Sequence, residues 1–241
     1  MYNKEDFLKW IHEIHPTKID LIKDWFNLDI VIEDLGGGTA MDSFLVNNIK
    51  NELAGVNRFI ETGTEAGSFI LNFVEDSPEL LTCEVNEGSY LCSKYRHQRY
   101  PQIKGFLKDS KSFLESIRLK DNDILFLDAH GGGYDEFNDN PLTHELVEIK
   151  KQGVKPIIYI HDFGIEVENP VENGKYWTHP CLDKIYEYRF DFSTTESGWK
   201  LDWNFIKNNI YEIYGNNYII EYPPFQNYGV NVGWIKIKNN S

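Results

Sequence analysis

Phe59-Ile60-Glu61-Thr62-Gly63-Thr64-Glu65-Ala66-Gly67-Ser68 is a short apolar run that ends on a carboxylate and enters a glycine turn. Such a run reads as a buried strand leading through a turn into a helix, the junction at which doubly wound α/β sheets hold a nucleoside. The spelling of the turn narrows the ligand. A dinucleotide fingerprint G-x-G-x-x-G beginning at Gly63 requires glycine at positions 65 and 68, where the chain has Glu65 and Ser68. A pyrophosphate is held by bare backbone N–H groups and the positive end of a helix dipole, and a carboxylate in that turn repels it. A phosphate-free, cationic nucleoside meets no such obstacle.

Outward from this turn, apolar strands and helical patterns alternate. Strands are predicted at 58–62, 80–85, 103–107, 123–129 and 156–161, with helices at 67–74, 87–99, 110–117 and 141–152. Short apolar strands separated by helices predict a parallel sheet buried on both faces. After the fifth strand the rhythm changes. Residues 164–200 are rich in turn formers and aromatics and read as a lid or substrate loop. A helix at 201–214 and strands at 218–222 and 231–238 follow, the last two spaced as an antiparallel pair. Residues 1–57 read as a helical extension broken at Gly36-Gly37-Gly38, and 58–241 as a Rossmann-like domain, one structural domain in all.

The charge balance restricts partners. With 24 basic and 38 acidic residues the net charge is -14, which argues against a nucleic-acid backbone and against anionic membranes. Lys94, Arg96 and Arg99 are the densest basic cluster and read as one helix face. Three cysteines, odd in number and without metal spacing, favour a reducing compartment. The start is charged and has no apolar segment of a signal peptide, and no run of 18 or more apolar residues occurs. The expectation is a cytoplasmic protein whose oligomeric state is open.

Ligands bind outside the carboxyl ends of such strands, and here all five ends are polar. The first ends in Glu61 and Gly63. The second ends in Glu84, 21 residues past Gly63, where a carboxylate accepts both hydroxyls of a ribose. The third ends in Asp109-Ser110, the fourth in Asp128-Ala129-His130 and the fifth in His161-Asp162. Any one of these reads equally well as a helix cap. Glu61, Glu84 and Asp109 together with the glycine turn point to S-adenosylmethionine.

The chain resembles class I S-adenosylmethionine-dependent methyltransferases from about residue 59 to residue 237. It is most similar to the subgroup that includes catechol O-methyltransferase, whose first motif also runs E-x-G-x-x-x-G. Segments such as Leu127-Asp128-Ala129-His130 and Ile160-His161-Asp162-Phe163 also resemble a less characterised branch of bacterial and viral methyltransferase-like proteins. The resemblance implies a seven-stranded sheet of order 3-2-1-4-5-7-6 with the seventh strand antiparallel. It implies that Glu61 binds the amino group of the methionine moiety, and that Gly63 and Gly67, with Thr64 and Ser68, bring backbone close to it. Glu84 would hold the ribose, Asp109 and Ser110 the adenine, and Asp128 would border the methionine part.

In the same subgroup the ends of strands four and five hold Mg²⁺. Asp128 matches its first ligand, and His161-Asp162 stands where an Asp-Asn pair is found, which makes Asp128, His161 and Asp162 the candidate metal set. Two carboxylates suit Mg²⁺ or Mn²⁺, and histidines admit softer ions. The subgroup's catalytic lysine is Gly131 here, so a histidine would have to serve as base, either His130 or His161, beside Asp128. The expected reaction is methyl transfer to a hydroxyl of a small molecule or glycan. Alternatives are a non-catalytic donor-binding or scaffold protein, a nicotinamide oxidoreductase, which Glu65 disfavours, and a nucleic-acid methyltransferase, which the charge disfavours. His12, His15 and His97 read as surface residues, His144 as a helix residue with a lesser claim on the site, and most late aromatics as core.

Overall fold

The computed structural model describes residues 4–14, 43–56, 58–130, 140–161, 166–169, 174–177, 203–221 and 234–240. Five parallel strands form its centre: β1 (Arg58–Thr62), β2 (Glu79–Glu84), β3 (Ile103–Leu107), β4 (Ile124–Leu127) and β5 (Ile157–Ile160). Further along the chain come β6 (Glu166–Asn169), β7 (Gly174–Trp177), β8 (Tyr218–Glu221) and β9 (Ile235–Asn239). The seven-stranded sheet runs β3-β2-β1-β4-β5-β9-β8, with β9 antiparallel to both β5 and β8. This is the expected order 3-2-1-4-5-7-6, with β8 and β9 in the sixth and seventh roles. β1 and β4 are buried along their whole length, as strands covered on both faces must be.

The helices are α1 (Lys4–Ile14), α2 (Ser43–Leu53), α3 (Glu87–His97), α4 (Ser110–Ser116), α5 (Pro141–Gln152) and α6 (Trp203–Tyr214). Their starts are written in the sequence. Asn86, Asp109 and Asn140 cap α3, α4 and α5 through bonds from Ser89 N, Ser112 N and Leu142 N, and Pro141 opens α5 where a missing N–H costs nothing. Leu142, Leu146, Ile149, Phe205 and Ile210 cover one sheet face. Leu45, Ile49, Phe69, Phe73 and Trp234 cover the other. α1 seats Phe7 and Ile11 on Leu91, Cys92 and Tyr95 of α3.

At the amino end of the sheet Arg58 and Asp123 form a buried ion pair, with Arg58 Nε donating to Asp123 Oδ1 at 3.0 Å. Asp123 Oδ2 also accepts from Lys120 N, and Arg58 donates to the Arg118 carbonyl, so neither charge depends on its partner alone. At the carboxyl end the exits are tied across strands. Gly63 N and Thr64 N both donate to Cys83 O, Asp128 N to Thr62 O, and His161 N to Leu127 O. These bonds bring the polar strand ends to one edge.

One expectation is corrected, and two gain detail. The helix predicted at 67–74 is a single 3-10 turn, Phe69–Phe73, because the chain spends residues 63–67 in a turn with three positive φ angles and Ser68 makes no side-chain cap. Within the 164–200 loop, β6 and β7 pair as an antiparallel ribbon, while the rest of that segment lies outside the described residues. Of the basic cluster on and after α3, Arg96 is buried. No described helix is long and apolar enough to cross a membrane.

Candidate active site

The turn after β1 is built on left-handed backbone. Gly63, Glu65 and Gly67 have φ of 76°, 47° and 77°. A Cβ on Gly63 would lie 2.5 Å from Asp128 O, and one on Gly67 would lie 2.6 Å from Ser93 Cβ. Both positions therefore demand glycine twice over, for conformation and for space. The neighbour that fills the space is the protein itself, the β4 exit at Gly63 and α3 at Gly67. That packing reason is additional to the ligand approach expected from the sequence.

Three carboxylates of the first three strand ends are held by internal donors. Glu61 Oε2 accepts from Thr64 Oγ1 and Thr82 Oγ1, each at 2.6 Å. Burial pushes the Glu61 carboxyl up to about 7, against the pull of these hydroxyls. Glu84 accepts from Asn86 N through Oε1 and from Glu65 N through Oε2, both at 2.8 Å, so it fixes the strained residue of the turn. Asp109 accepts from Ser112 N at 2.8 Å and Ser112 Oγ at 2.7 Å. Partial burial acts to raise the Asp109 carboxyl, but the Ser112 bonds outweigh it and leave it below the ordinary value. Ser110 and Thr64 are buried, and Ser68 is half-buried. Beside Glu84 and Asp109 stand two apolar side chains that sequence reading passed over, Val85 at 71% and Leu107 at 44% exposure.

At the β4 and β5 ends the structure brings Asp128, His130 and His161 together. His161 Nδ1 lies 2.9 Å from Asp128 Oδ1, a carboxylate oxygen that accepts, so Nδ1 carries the hydrogen. His130 Nε2 lies 2.8 Å from the His161 carbonyl, which can only accept, so that nitrogen carries the hydrogen. Both rings are buried, and His161 lies against Phe126 with ring centroids 5.4 Å apart. Asp162 lies outside the described residues. Among the described residues no three His, Cys, Asp or Glu side chains converge as metal ligands would. The hydrogen on His161 Nδ1 faces Asp128 Oδ1, where an ion shared by these two atoms would require a lone pair on the nitrogen as well.

Two buried residues were missed. His97, read as a surface residue, is 7% exposed and donates through Nε2 to Gly67 O at 2.7 Å. Burial lowers its ring to about 4, so it is the neutral form that ties α3 to the turn. Glu145 on α5 is fully buried, and burial raises its carboxyl, opposed by His130, Thr62 and Ser110. The signal for it was present: Leu142, Glu145, Leu146 and Ile149 occupy i, i+3, i+4 and i+7, which puts a glutamate inside an apolar stripe.

No protein-family model matches the chain, and no curated protein matches it in sequence. The fold does match solved structures. A Staphylococcus aureus protein assigned as a caffeoyl-CoA O-methyltransferase is similar at TM-score 0.53 and 14% identity, over 96% of this chain and 99% of its own. An O-methyltransferase from Bacillus cereus in complex with SAH is similar at TM-score 0.49 and 12% identity, over 96% of each chain. An rRNA methylase from Streptococcus thermophilus is similar at TM-score 0.47 and 9% identity, over 80% of this chain and 95% of its own. The strand order and the first of these likenesses show the class I methyltransferase fold.

Proposed function

We propose that this protein transfers a methyl group from S-adenosylmethionine to a hydroxyl of a small molecule or glycan. The observation that carries the reading is the row of polar strand ends at one edge, with carboxylates Glu61, Glu84 and Asp109 followed by the Asp128–His161 pair. S-adenosylmethionine, when bound, supplies a methyl on a sulfonium, already a good leaving group, so most of the acceleration comes from in-line positioning.

The chain's own residues then divide the work. Glu61 holds the ammonium of the methionine moiety through Oε1, the oxygen that carries neither threonine bond. Glu84 accepts from the ribose hydroxyls with the lone pairs left by Glu65 N and Asn86 N. Val85 and Leu107 give the base an apolar flank, with Asp109 and Ser110 at its amino edge. His161 takes the acceptor hydroxyl's proton on Nε2 as its oxygen forms the bond to the methyl. Asp128 then stabilises the imidazolium through Nδ1–H. His130 is the second candidate base, and its commitment to the His161 carbonyl favours a supporting role.

The Asp128–His161 bond suits proton transfer better than joint ligation of Mg²⁺ or Mn²⁺. The test is transfer of labelled methyl from S-adenosylmethionine to a library of hydroxylated small molecules and glycans, with RNA as a separate arm. Transfer to a hydroxyl that persists in EDTA is the expected result. Transfer to RNA alone would replace the acceptor class, and complete loss in EDTA would restore the ion. Donor binding without turnover on any acceptor would favour a non-catalytic protein.

A further inference from the structure

α3 starts at Glu87, just past the Glu84 strand end, and turns one face to the glycine turn after β1. Ser93 and His97 are four residues apart and so stack on that face. A Cβ on Gly67 would lie 2.6 Å from Ser93 Cβ and 2.7 Å from His97 Nε2, so the helix rests on bare backbone. His97 Nε2 stands 2.7 Å from Gly67 O. A carbonyl only accepts, so that nitrogen carries the hydrogen and donates it. The ring is buried, which keeps water from replacing the bond.

The turn needs such a hold. Glu65 has φ 47°, a conformation that a non-glycine residue keeps only where its surroundings impose it. The turn closes on itself through Gly67 N, which donates to Thr64 O at 2.7 Å. Past the Cys83 carbonyl at its start, it is tied from outside at two points among the described residues. Glu65 N donates to Glu84 Oε2 at 2.8 Å, and Gly67 O accepts from His97. Ser68, next along, adds no side-chain cap. The Glu84 tie uses the carboxylate that a ribose would share, whereas the His97 tie is separate from any ligand contact. α3 is itself braced on its opposite face, where Phe7 and Ile11 of α1 pack on Leu91, Cys92 and Tyr95.

We propose that His97 is a positioning residue for the methyl donor, whose Nε2–H bond to Gly67 O holds the Glu65–Gly67 turn in the shape the donor meets. The donor then finds a turn already formed, and less ordering is left to be done on binding. The identity of that ligand rests on the methyl-transfer reading, whereas the hold on the turn is tested without it.

The experiment pairs calorimetry with S-adenosylhomocysteine and amide hydrogen exchange of the ligand-free full chain. In His97→Leu, which cannot donate, affinity falls roughly three- to tenfold and exchange at Glu65 and Gly67 quickens by about the same factor, the worth of one neutral hydrogen bond. His97→Gln, whose Nε2 also donates, keeps both near the values of the unmodified protein. Unchanged affinity or unchanged exchange in folded His97→Leu overturns the proposal, since a residue that only stabilised the fold would move the unfolding midpoint alone. Loss of either in folded His97→Gln overturns it too, and the glutamine variant decides alone if the leucine variant does not fold. If exchange responds as stated but the unmodified protein binds no S-adenosylhomocysteine, the methyl-transfer reading falls and the hold of His97 on the turn stands.

Discussion

At the β1–β3 end of the sheet edge each carboxylate is held by two internal donors: Glu61 by two threonines, Glu84 by two backbone amides, Asp109 by two groups of Ser112. At the β4–β5 end, one edge further on, His130 Nδ1 and both Glu145 oxygens are buried without partners among the described residues. The first region is a finished platform whose acceptors are aimed before anything binds, so ordering costs little on binding. The second is a group of proton-carrying side chains whose arrangement turns on where a few hydrogens sit. Donor affinity and transfer rate should therefore respond to different residues.

The sharpest way to break this division is His161→Ala. Loss of a general base costs about 10²–10⁴-fold in methyl transfer to a hydroxyl, while calorimetric affinity for S-adenosylhomocysteine should change little. Equal losses in both would merge the two regions into one.

Gly63→Ala strikes the seam between them, since its new Cβ would meet Asp128 O at 2.5 Å in a backbone already at φ 76°. A left-handed alanine plus a backbone clash predicts a loss of roughly 2–4 kcal/mol in denaturant unfolding. An unaltered midpoint would mean that the turn and the β4 exit are not packed as described.

The smallest effect is a pH dependence confined to the donor side. Glu61, raised to about 7 in the folded protein, binds its proton more tightly there than when unfolded. Its contribution to stability without ligand is thus fully present below the ordinary carboxylate value and is lost as pH rises through 7. A cationic ammonium reverses the preference, so donor binding releases a proton. Affinity for S-adenosylhomocysteine should rise about tenfold from pH 6 to pH 8 and then level. Glu61→Gln should flatten the profile, and a flat profile in the unmodified protein would take the ammonium away from Glu61.

The finished region was also the legible one. Its proposed role rests on residue types at strand ends, and β1, β3 and α5 fall where their apolar runs and caps predict. The turn could be read as glycine-requiring, but the reason at Gly67 is contact with Ser93 and His97, 26 and 30 residues away, which no local pattern encodes. His97 looked exposed because histidine on a charged helix commonly is, and only α3 lying against the turn buries it. Glu145 was passed over because a glutamate in an amphipathic helix reads as solvent-facing, although its own i+3 spacing from Leu142 contradicted that. The Asp128–His161 bond joins two strand ends 33 residues apart and depends on the β4–β5 register, so the sequence brought both residues to the edge without specifying their mutual orientation.

The central claim is that the row of strand-end carboxylates binds a methyl donor, and calorimetry with S-adenosylhomocysteine tests it most directly. Saturable binding, weakened about 10–100-fold by Glu84→Ala as expected for lost hydrogen bonds to a charged group and unaffected by NAD, is the predicted result. No heat of binding for either S-adenosylmethionine or S-adenosylhomocysteine at millimolar concentration would contradict it.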